Sequence, residues 1–255
     1  MRQSDTAGHA ARTPHFDNSA SVHLLGSFQL QAGDTEVFLA EGPQRLVALL
    51  ALRGRMTRSR LAGTLWPENT EKRALASLRT AIWRTNSAAP WLLNGSGKAI
   101  ALDTSVAVDV RSLVETAKTA IRGEGESGLL AESFPDVDDD LLPDWDDEWL
   151  AQERERLRQL RLHGQEELAV RLADEGRYGL ALELALAALR CDMLRESAHR
   201  SVIRIHLAEG NVSEAKSAYE TCRRVLEREL GVPPTADTRR LLTALSNSPY
   251  MRSRR

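Results

Sequence analysis

Features that mark metalloproteins, secreted proteins and membrane proteins are sparse in this sequence of 255 residues. The two cysteines, Cys191 and Cys222, fall on apolar helical patterns, which predicts small buried side chains in a reduced cytosol. The first 20 residues lack the apolar core of a signal peptide, and no apolar run approaches membrane-spanning length. The six histidines lack the spacing of metal ligands. We therefore expect a cytoplasmic protein with neither a membrane segment nor a metal ion.

The residue combinations of common catalytic sites are also missing, since no nucleophile is paired with a base. The run Gly95-Ser96-Gly97-Lys98 resembles part of a phosphate-binding loop. Such a loop needs Ser or Thr after the lysine and then a helix, but Ala99 and an alternating strand pattern follow here. A hairpin turn is the better interpretation. The sequence therefore predicts neither an enzyme nor a bound cofactor.

Charge is small in sum but uneven along the chain. The net charge of −2 argues against a protein coated with positive potential. Between Arg45 and Asn86, however, nine Arg and Lys face two Glu, whereas nine Asp and Glu lie between Glu132 and Glu148 without a basic residue. A compact basic zone in an acidic remainder is typical of a local DNA-binding module. The acidic run lacks the ligand spacing of an EF-hand, so it predicts a solvated loop whose apolar residues pack on helices.

The first part of the chain alternates short strands with helices. Residues 1–20 are polar and predict a disordered arm. The predicted elements that follow are, in order, the strands Val22–Leu30 and Thr35–Leu39, the helix Gln44–Leu52, a short helix capped by Thr57 or Ser59 and closed by Trp66-Pro67, the helix Glu71–Asn86, and a hairpin over 91–102 that turns at 94–97. This order describes a winged helix, in which the third helix reads DNA and the hairpin is the wing.

The helix predicted for residues 71–86 is amphipathic. Its inner stripe contains Leu75, Leu78 and Ile82, with Ala74 and Ala81 beside it. The opposite face has no carboxylate, which suits phosphates and base edges in a major groove. The predicted base-contacting residues are Arg73, Ser77, Thr80 and Arg84, flanked by Lys72 and Arg79, and the predicted phosphate-contacting residues are Arg58, Arg60 and Lys98. From this helix alone, an ordinary amphipathic helix with a solvated basic face fits equally well.

A repeat with a period of 34 residues runs through the C-terminal part. It aligns Leu168 with Val202, Gly176 with Gly210, and Ala181 with Ala215. This period is typical of tetratricopeptide units, in which a glycine turn separates two helices and small residues allow their close approach. We expect a third helix pair upstream that uses residues 149–167 and part of the preceding segment. Stacked helix pairs predict a protein-binding or dimerising surface and no catalytic pocket.

Several motifs now carry a resemblance to a known family. They are Leu61–Pro67 (LAGTLWP), Ser77-Leu78-Arg79, the Trp149-x-x-x-x-Arg154 stretch, and a C-terminal run of Glu209-Gly210, Ala215, Tyr219 and 226–235, which ends in ELGVPPT. In these residues the chain resembles activators of the Streptomyces antibiotic regulatory protein (SARP) family, which join an OmpR-type winged helix to a bacterial transcriptional activator domain (BTAD). The resemblance covers nearly everything from about residue 22 to 245.

The resemblance implies a mainly α fold with small β elements. A winged-helix DNA-binding domain would occupy residues 21–107, an all-α tetratricopeptide-like BTAD residues 108–247, and a tail residues 248–255. It implies a nucleoid-associated activator, of a secondary-metabolite (antibiotic) gene cluster, that binds direct repeats in promoter DNA as a homodimer or as side-by-side protomers. It also implies recruitment of RNA polymerase holoenzyme through the sigma, beta and alpha subunits.

One alternative function remains open from the sequence. The tetratricopeptide-like part would dock a protein partner, and the winged helix would serve as a protein-binding surface that does not read DNA. The face without carboxylates at 72–86 argues against such an adaptor, because a protein-facing patch should expose more apolar area.

Overall fold

The computed structural model of the chain describes residues 20–135 and 140–246. The fold is mainly α-helical with two small β-sheets, which confirms the predicted fold class. The predicted arm at 1–20, except for Ala20, and the predicted tail at 248–255 lie outside the described residues.

Two compact units make up the described chain. Unit 1 contains residues 20–23 and 28–108, and unit 2 contains residues 24–27 and 109–246. The four residues 24–27 therefore belong to a different unit from the strands on either side of them in the sequence.

Unit 1 contains three helices and two sheets. Its elements are β1 (Ala20–His23), β2 (Gln29–Ala32), β3 (Thr35–Glu36), α1 (Glu41–Arg53), β4 (Met56–Thr57), α2 (Arg58–Leu65), α3 (Glu71–Ala88), β5 (Leu93–Ser96), β6 (Ala99–Leu102) and β7 (Ala107–Val108). The first sheet has the order β3-β2-β1-β7, with β7 parallel to β1, and the second has the order β4-β6-β5 with antiparallel pairs.

The core of unit 1 lies between its three helices. Fully buried leucines come from each helix: Leu46, Leu49 and Leu50 from α1, Leu61 and Leu65 from α2, and Leu78 from α3. Removing such a side chain from water contributes roughly 1.5–3 kcal/mol. Gly54 ends α1 with a φ of 71°, and Thr57 caps α2 by accepting a bond from the Arg60 amide, as predicted. These leucines fix the three helices that carry the candidate site.

The prediction of one continuous strand over Val22–Leu30 is wrong. This segment is split into β1 and β2, because the amides of Leu24 and Leu25 donate to the Asp109 Oδ2 atom at 2.8 and 2.9 Å instead of to a strand. Gly26 then takes a φ of 80°, which an L side chain rarely adopts. The second predicted strand is also shorter, since only Thr35–Glu36 is a strand.

The predicted turn of the hairpin is displaced along the chain. Ser96 pairs with Ala99, so the two turn residues are Gly97 and Lys98, and Asn94 and Gly95 lie in β5. Gly97 has a φ of 67°, which fits a hairpin turn with glycine in its first central position. Lys98 therefore lies at the tip of the hairpin that the sequence predicts to be the wing.

Unit 2 consists of seven helices within the described residues. They are α4 (Asp109–Ile121), α5 (Ser127–Glu132), α6 (Glu148–Asp174), α7 (Tyr178–Cys191), α8 (Glu196–Glu209), α9 (Val212–Leu230) and α10 (Ala236–Ser246). Helix α5 ends at Glu132, where the acidic segment that the sequence predicts to be a loop begins. Burial of Leu141 and Leu142 in that segment confirms that its apolar residues pack against the fold.

The predicted repeat is confirmed by burial at equivalent positions. Leu168 and Val202 are buried, as are Ala181 and Ala215, and the turn glycines Gly176 and Gly210 both have a positive φ. The prediction that residues 149–167 and part of the preceding segment form a third, separate helix pair is wrong. Residues 149–167 continue without a break into the first helix of the repeat as α6. No glycine turn interrupts that stretch, and the burial pattern carries on through it.

A carboxylate explains the ELGVPPT motif that closes the repeat. Glu196, at the start of α8, accepts bonds from the amide and hydroxyl of Thr235 at 2.8 and 2.7 Å and from the buried Thr238 hydroxyl. Gly231 ends α9 in the left-handed conformation, and the two prolines then lead to Thr235. Glu196 thus attaches α10 to α8.

We expect Glu196→Ala to lower the free energy of unfolding by about 1–2 kcal/mol, since a charged hydrogen-bond acceptor is lost. Burial raises the pKa of Glu196, but the hydrogen bonds from Thr238 and Thr235 and the charge of Arg200 together lower it by more, so the pKa lies below the ordinary value of a glutamate. A lowered pKa in the folded state means that this stabilisation is present above pH 4.5 and is lost as the pH falls. Hydrogen exchange of α10 amides tests both statements.

The matched control is Glu209→Ala, at an exposed position of the same helix without an ion pair in the described chain. It should leave exchange in α10 unchanged. Equal protection of α10 in the Glu196 and Glu209 variants would contradict the proposed attachment.

Candidate nucleic-acid interface

Helix α3 is oriented slightly differently from the prediction. The residues fully buried on it are Ala74, Leu78, Ala81 and Thr85. Leu75 and Ile82, which the sequence predicts to lie inward, are only half-buried, so the predicted inner stripe is wrong at those two positions. Thr85 can replace a larger apolar residue because its hydroxyl donates to the Ala81 carbonyl of its own helix at 2.9 Å.

The outer face of α3 contains the predicted base-contacting residues. Arg73, Thr80 and Arg84 are exposed and Ser77 is half-buried. Their spacing of four, three and four residues places them on one stripe of the helix. The Thr80 hydroxyl donates to the Ala76 carbonyl at 3.2 Å, which leaves its oxygen able to accept a bond from outside. The stripe therefore offers two guanidinium groups and two hydroxyls to a ligand.

Three of these residues line a shallow cavity of about 230 Å³. Ser77, Thr80 and Arg84 form its wall on α3. The other walls come from Gly42 and Pro43 at the start of α1, Trp66 at the end of α2, and Ala81. Arg73 does not line this cavity. The concave surface is thus built by the ends of two helices beside the middle of α3.

The sequence does not identify Gly42, Pro43 and Trp66 as part of the site. The prediction starts α1 at Gln44, whereas the helix begins at Glu41 and includes Gly42 and Pro43 in its first turn. Proline is tolerated there because the first amides of a helix have no partner within it. The sequence indicates Trp66 only weakly as a site residue, because its one unusual feature is that a tryptophan follows a short, polar helix.

Two predicted phosphate-contacting residues come together through the wing. The Arg58 amide donates to the Lys98 carbonyl at 3.0 Å, next to the pairing of Thr57 with Ala99. Arg58 is half-buried, whereas Arg60 and Lys98 are exposed. The start of α2 and the tip of the hairpin therefore lie next to each other, although 40 residues separate Arg58 from Lys98 in the sequence.

The flanking positions of α3 are also exposed. Lys72 and Arg79 are basic, as predicted to lie beside the reading stripe, and Trp83 exposes 68% of its surface. A tryptophan this exposed offers an apolar face that can stack or pack on a partner.

The cations of this surface differ from those of unit 2 in their partners. Within the described residues, none of the seven cations predicted to contact DNA forms a salt bridge. They are Arg58, Arg60, Lys72, Arg73, Arg79, Arg84 and Lys98. In unit 2, by contrast, arginines such as Arg158, Arg195 and Arg223 are paired with carboxylates. Guanidinium groups without internal partners are available to phosphates and base edges.

Arg45, which also belongs to the basic zone, contributes to the fold of unit 1. It is half-buried on α1, and its Nη2 atom donates to the Leu65 carbonyl at the end of α2 at 3.0 Å. That bond satisfies one of the last carbonyls of the helix. Arg45 therefore joins α1 to the end of α2.

Comparisons with known proteins agree with this architecture. The family of bacterial transcriptional activator domains matches residues 127–246. The regulatory protein AfsR of Streptomyces coelicolor is 29% identical over 214 residues, which are 79% of this chain and 22% of AfsR. The structure of Mycobacterium tuberculosis EmbR in complex with a low-affinity phosphopeptide superposes with a TM-score of 0.67 at 18% identity, and covers 90% of this chain and 66% of EmbR. The chain thus spans under a quarter of AfsR. Among the described helices, none is long and apolar enough to span a bilayer.

Proposed function

We propose that the chain is a transcriptional activator of the SARP family that reads double-stranded promoter DNA with α3. The match of residues 127–246 to bacterial transcriptional activator domains and the 29% identity to AfsR support the family. The observation that carries the proposal is the outer face of unit 1, where seven cations lack a salt bridge within the described residues. A major groove about 12 Å wide admits such a helix.

The contacts divide into two kinds. Arg73, Ser77, Thr80 and Arg84 contact base edges, and an arginine that binds guanine with two parallel bonds contributes about 1–3 kcal/mol of discrimination. Arg58, Arg60 and Lys98 contact phosphates, with Lys72 and Arg79 at the sides of the groove. Phosphate contacts place the protein on the duplex, and base contacts select the sequence.

The target and partners follow from the family as part of the same proposal. Protomers bind direct repeats side by side near the promoter of a secondary-metabolite gene cluster, and the bound protein recruits RNA polymerase holoenzyme. The repeat of unit 2, with its exposed helix surfaces, provides the protein-binding part.

We expect the affinity for promoter DNA to fall steeply with salt. With three to five phosphate contacts per protomer, the logarithm of the binding constant should change with that of the salt concentration with a slope of about −3 to −4.5. Between 50 and 200 mM salt this slope lowers the affinity about 60- to 500-fold. Fluorescence anisotropy with a labelled fragment measures the slope, and footprinting identifies the fragment.

Two variants make this test specific. Lys98→Ala should reduce the slope by about one, because one phosphate contact is lost. Lys118→Ala, a lysine of unit 2 paired with Glu115 at 3.2 Å, should leave the slope unchanged. A slope near zero for the unmodified chain would contradict the proposal.

The adaptor function keeps one observation in its favour. Phe38 and Trp83 expose 82% and 68% of their surface in unit 1, and exposed aromatic residues are typical of protein interfaces. Salt-insensitive or absent binding of DNA, together with intact folding, would support the adaptor over the activator.

A further inference from the structure

We propose that unit 2 contains a binding site for a small amphipathic anion, an apolar molecule that carries a carboxylate, sulfonate or phosphate. The site is a cavity of about 560 Å³ along α6, bounded by the start of α4, the end of α7 and the segments at 25 and 140–141. Cavities that hold small molecules have volumes of about 300–1,000 Å³. The cavity therefore has the size of a ligand site and does not depend on the DNA-binding face.

The charges around this cavity favour an anion. Four arginines line it, Arg154, Arg158, Arg161 and Arg190, against the two carboxylates of Asp140 and Glu155. Arginines thus outnumber carboxylates among the lining residues, and a cavity lined mainly by one sign of charge concentrates ligands of the other.

The partners of Arg158 and Arg154 differ in kind. Arg158 is neutralised, because it bonds Glu155 at 2.9 Å and Asp192 at 3.0 Å. Arg154 donates to the carbonyls of Leu141, Leu142 and Trp145, which orient its guanidinium but carry no net charge. A guanidinium held by carbonyls keeps its full positive charge toward the cavity.

The other two arginines differ in burial, since one is buried and the other is exposed. Arg161 is only 6% exposed and donates to the Pro135 carbonyl at 2.6 Å. Arg190, near the end of α7, is exposed and forms no salt bridge within the described residues. Arg190 can therefore turn toward a bound anion without breaking an existing ion pair.

The remaining walls are apolar. Leu113, Leu141 and Leu157 form the buried part of this lining. Leu25 is half-buried and Ala151 is exposed, so these two present apolar surface to the cavity. A simple inorganic anion would leave the apolar surface of Leu25 and Ala151 uncovered, whereas a molecule with an apolar body gains free energy by covering it. The combination of both linings selects an amphipathic anion.

The test uses two dyes that share the same rings and differ in a single sulfonate group. We expect 8-anilinonaphthalene-1-sulfonate to bind the full chain, with increased fluorescence and one site per chain. N-phenyl-1-naphthylamine has the same rings without the sulfonate and should bind about tenfold more weakly, since it lacks the charge-assisted bonds. Sodium decanoate should displace the sulfonate dye, and sodium phosphate at the same concentration should not.

Variants locate the site. Arg190→Gln should weaken the sulfonate dye about three- to fivefold and leave the neutral dye unchanged, as expected for one exposed ion pair. Ala151→Trp places an indole at an exposed position of α6 on the cavity wall and should weaken both dyes about tenfold or more. Arg204→Gln, at an exposed arginine of α8 outside the cavity, is the matched control and should bind both dyes normally.

Three results would overturn the proposal. They are no binding of the sulfonate dye, equal binding of the two dyes with no effect of Arg190→Gln, and unchanged binding in Ala151→Trp. Circular dichroism of each variant confirms that the helices are intact, so that a loss of binding reports on the cavity.

Discussion

Arg84→Ala is expected to lower the affinity for the cognate promoter about 5- to 150-fold while changing the affinity for unrelated DNA much less. Arg84 is exposed on α3, lines the shallow cavity with Ser77 and Thr80, and has no salt bridge within the described chain. Its truncation therefore removes a base contact without uncovering a buried charge. Arg73→Ala, on the same stripe, should behave in the same way. Competition binding with cognate and unrelated fragments measures the selectivity.

The reason for a selective loss is the geometry of the guanidinium group. Its planar donors match two acceptors on one guanine edge, so an arginine in the groove distinguishes base pairs, whereas an arginine on the backbone does not. Loss of Arg84 should raise the affinity ratio of unrelated to cognate DNA. Loss of a phosphate contact should lower both affinities together.

Arg79 is the matched control for this prediction. It lies on the same helix and is equally exposed, but at the side of the reading stripe. Arg79→Ala should therefore weaken cognate and unrelated DNA by a similar factor and reduce the salt dependence slightly. If Arg73→Ala and Arg84→Ala gave the footprint of the unmodified protein, α3 would not be the reading helix.

Most of the candidate site follows from local sequence patterns. The order of elements in unit 1 is predicted because each boundary has a local signal, such as Gly54 after α1 and Thr57 before α2. The carboxylate-free face at 72–86 is likewise a local pattern. The repeat in unit 2 is predicted because similar residues recur at intervals of 34 residues. In the structure, these equivalent positions are buried alike.

The parts that the sequence does not predict depend on long-range contacts. Asp109 accepts hydrogen bonds from the amides of Leu24 and Leu25, which lie more than 80 residues earlier in the sequence, and thereby ends β1. No local pattern reveals this contact. The rotation of α3 is missed because Ile82 is more apolar than Thr85, yet a bond to the Ala81 carbonyl satisfies the threonine hydroxyl. The continuity of α6 is missed because a repeat period suggests a break where none occurs.

Gly164→Val is expected to lower the free energy of unfolding of unit 2 by about 3 kcal/mol or more, through overpacking. Gly164 is buried in the middle of α6 where that helix meets α4. A Cβ atom placed there would lie 2.9 Å from both Cα and Cβ of Ala117 and 3.1 Å from the Phe134 ring. Because one of these atoms is backbone, the helices must separate to accept a side chain. Chemical denaturation followed by circular dichroism measures the loss.

Gly164→Ala decides between two opposing effects. Alanine is the better helix former by about 1 kcal/mol, so propensity alone would make the protein more stable. Overpacking against the Ala117 backbone costs about 1–3 kcal/mol, and we expect this cost to prevail, with a net destabilisation of about 1 kcal/mol.

Gly179→Ala is the control, because Gly179 is exposed on α7 and its Cβ would meet nothing within 4 Å. It should be neutral or stabilising. If Gly164→Ala were also stabilising, then α4 and α6 would not be in contact through this glycine, and the close packing of the first helices of unit 2 would have to rest on other residues.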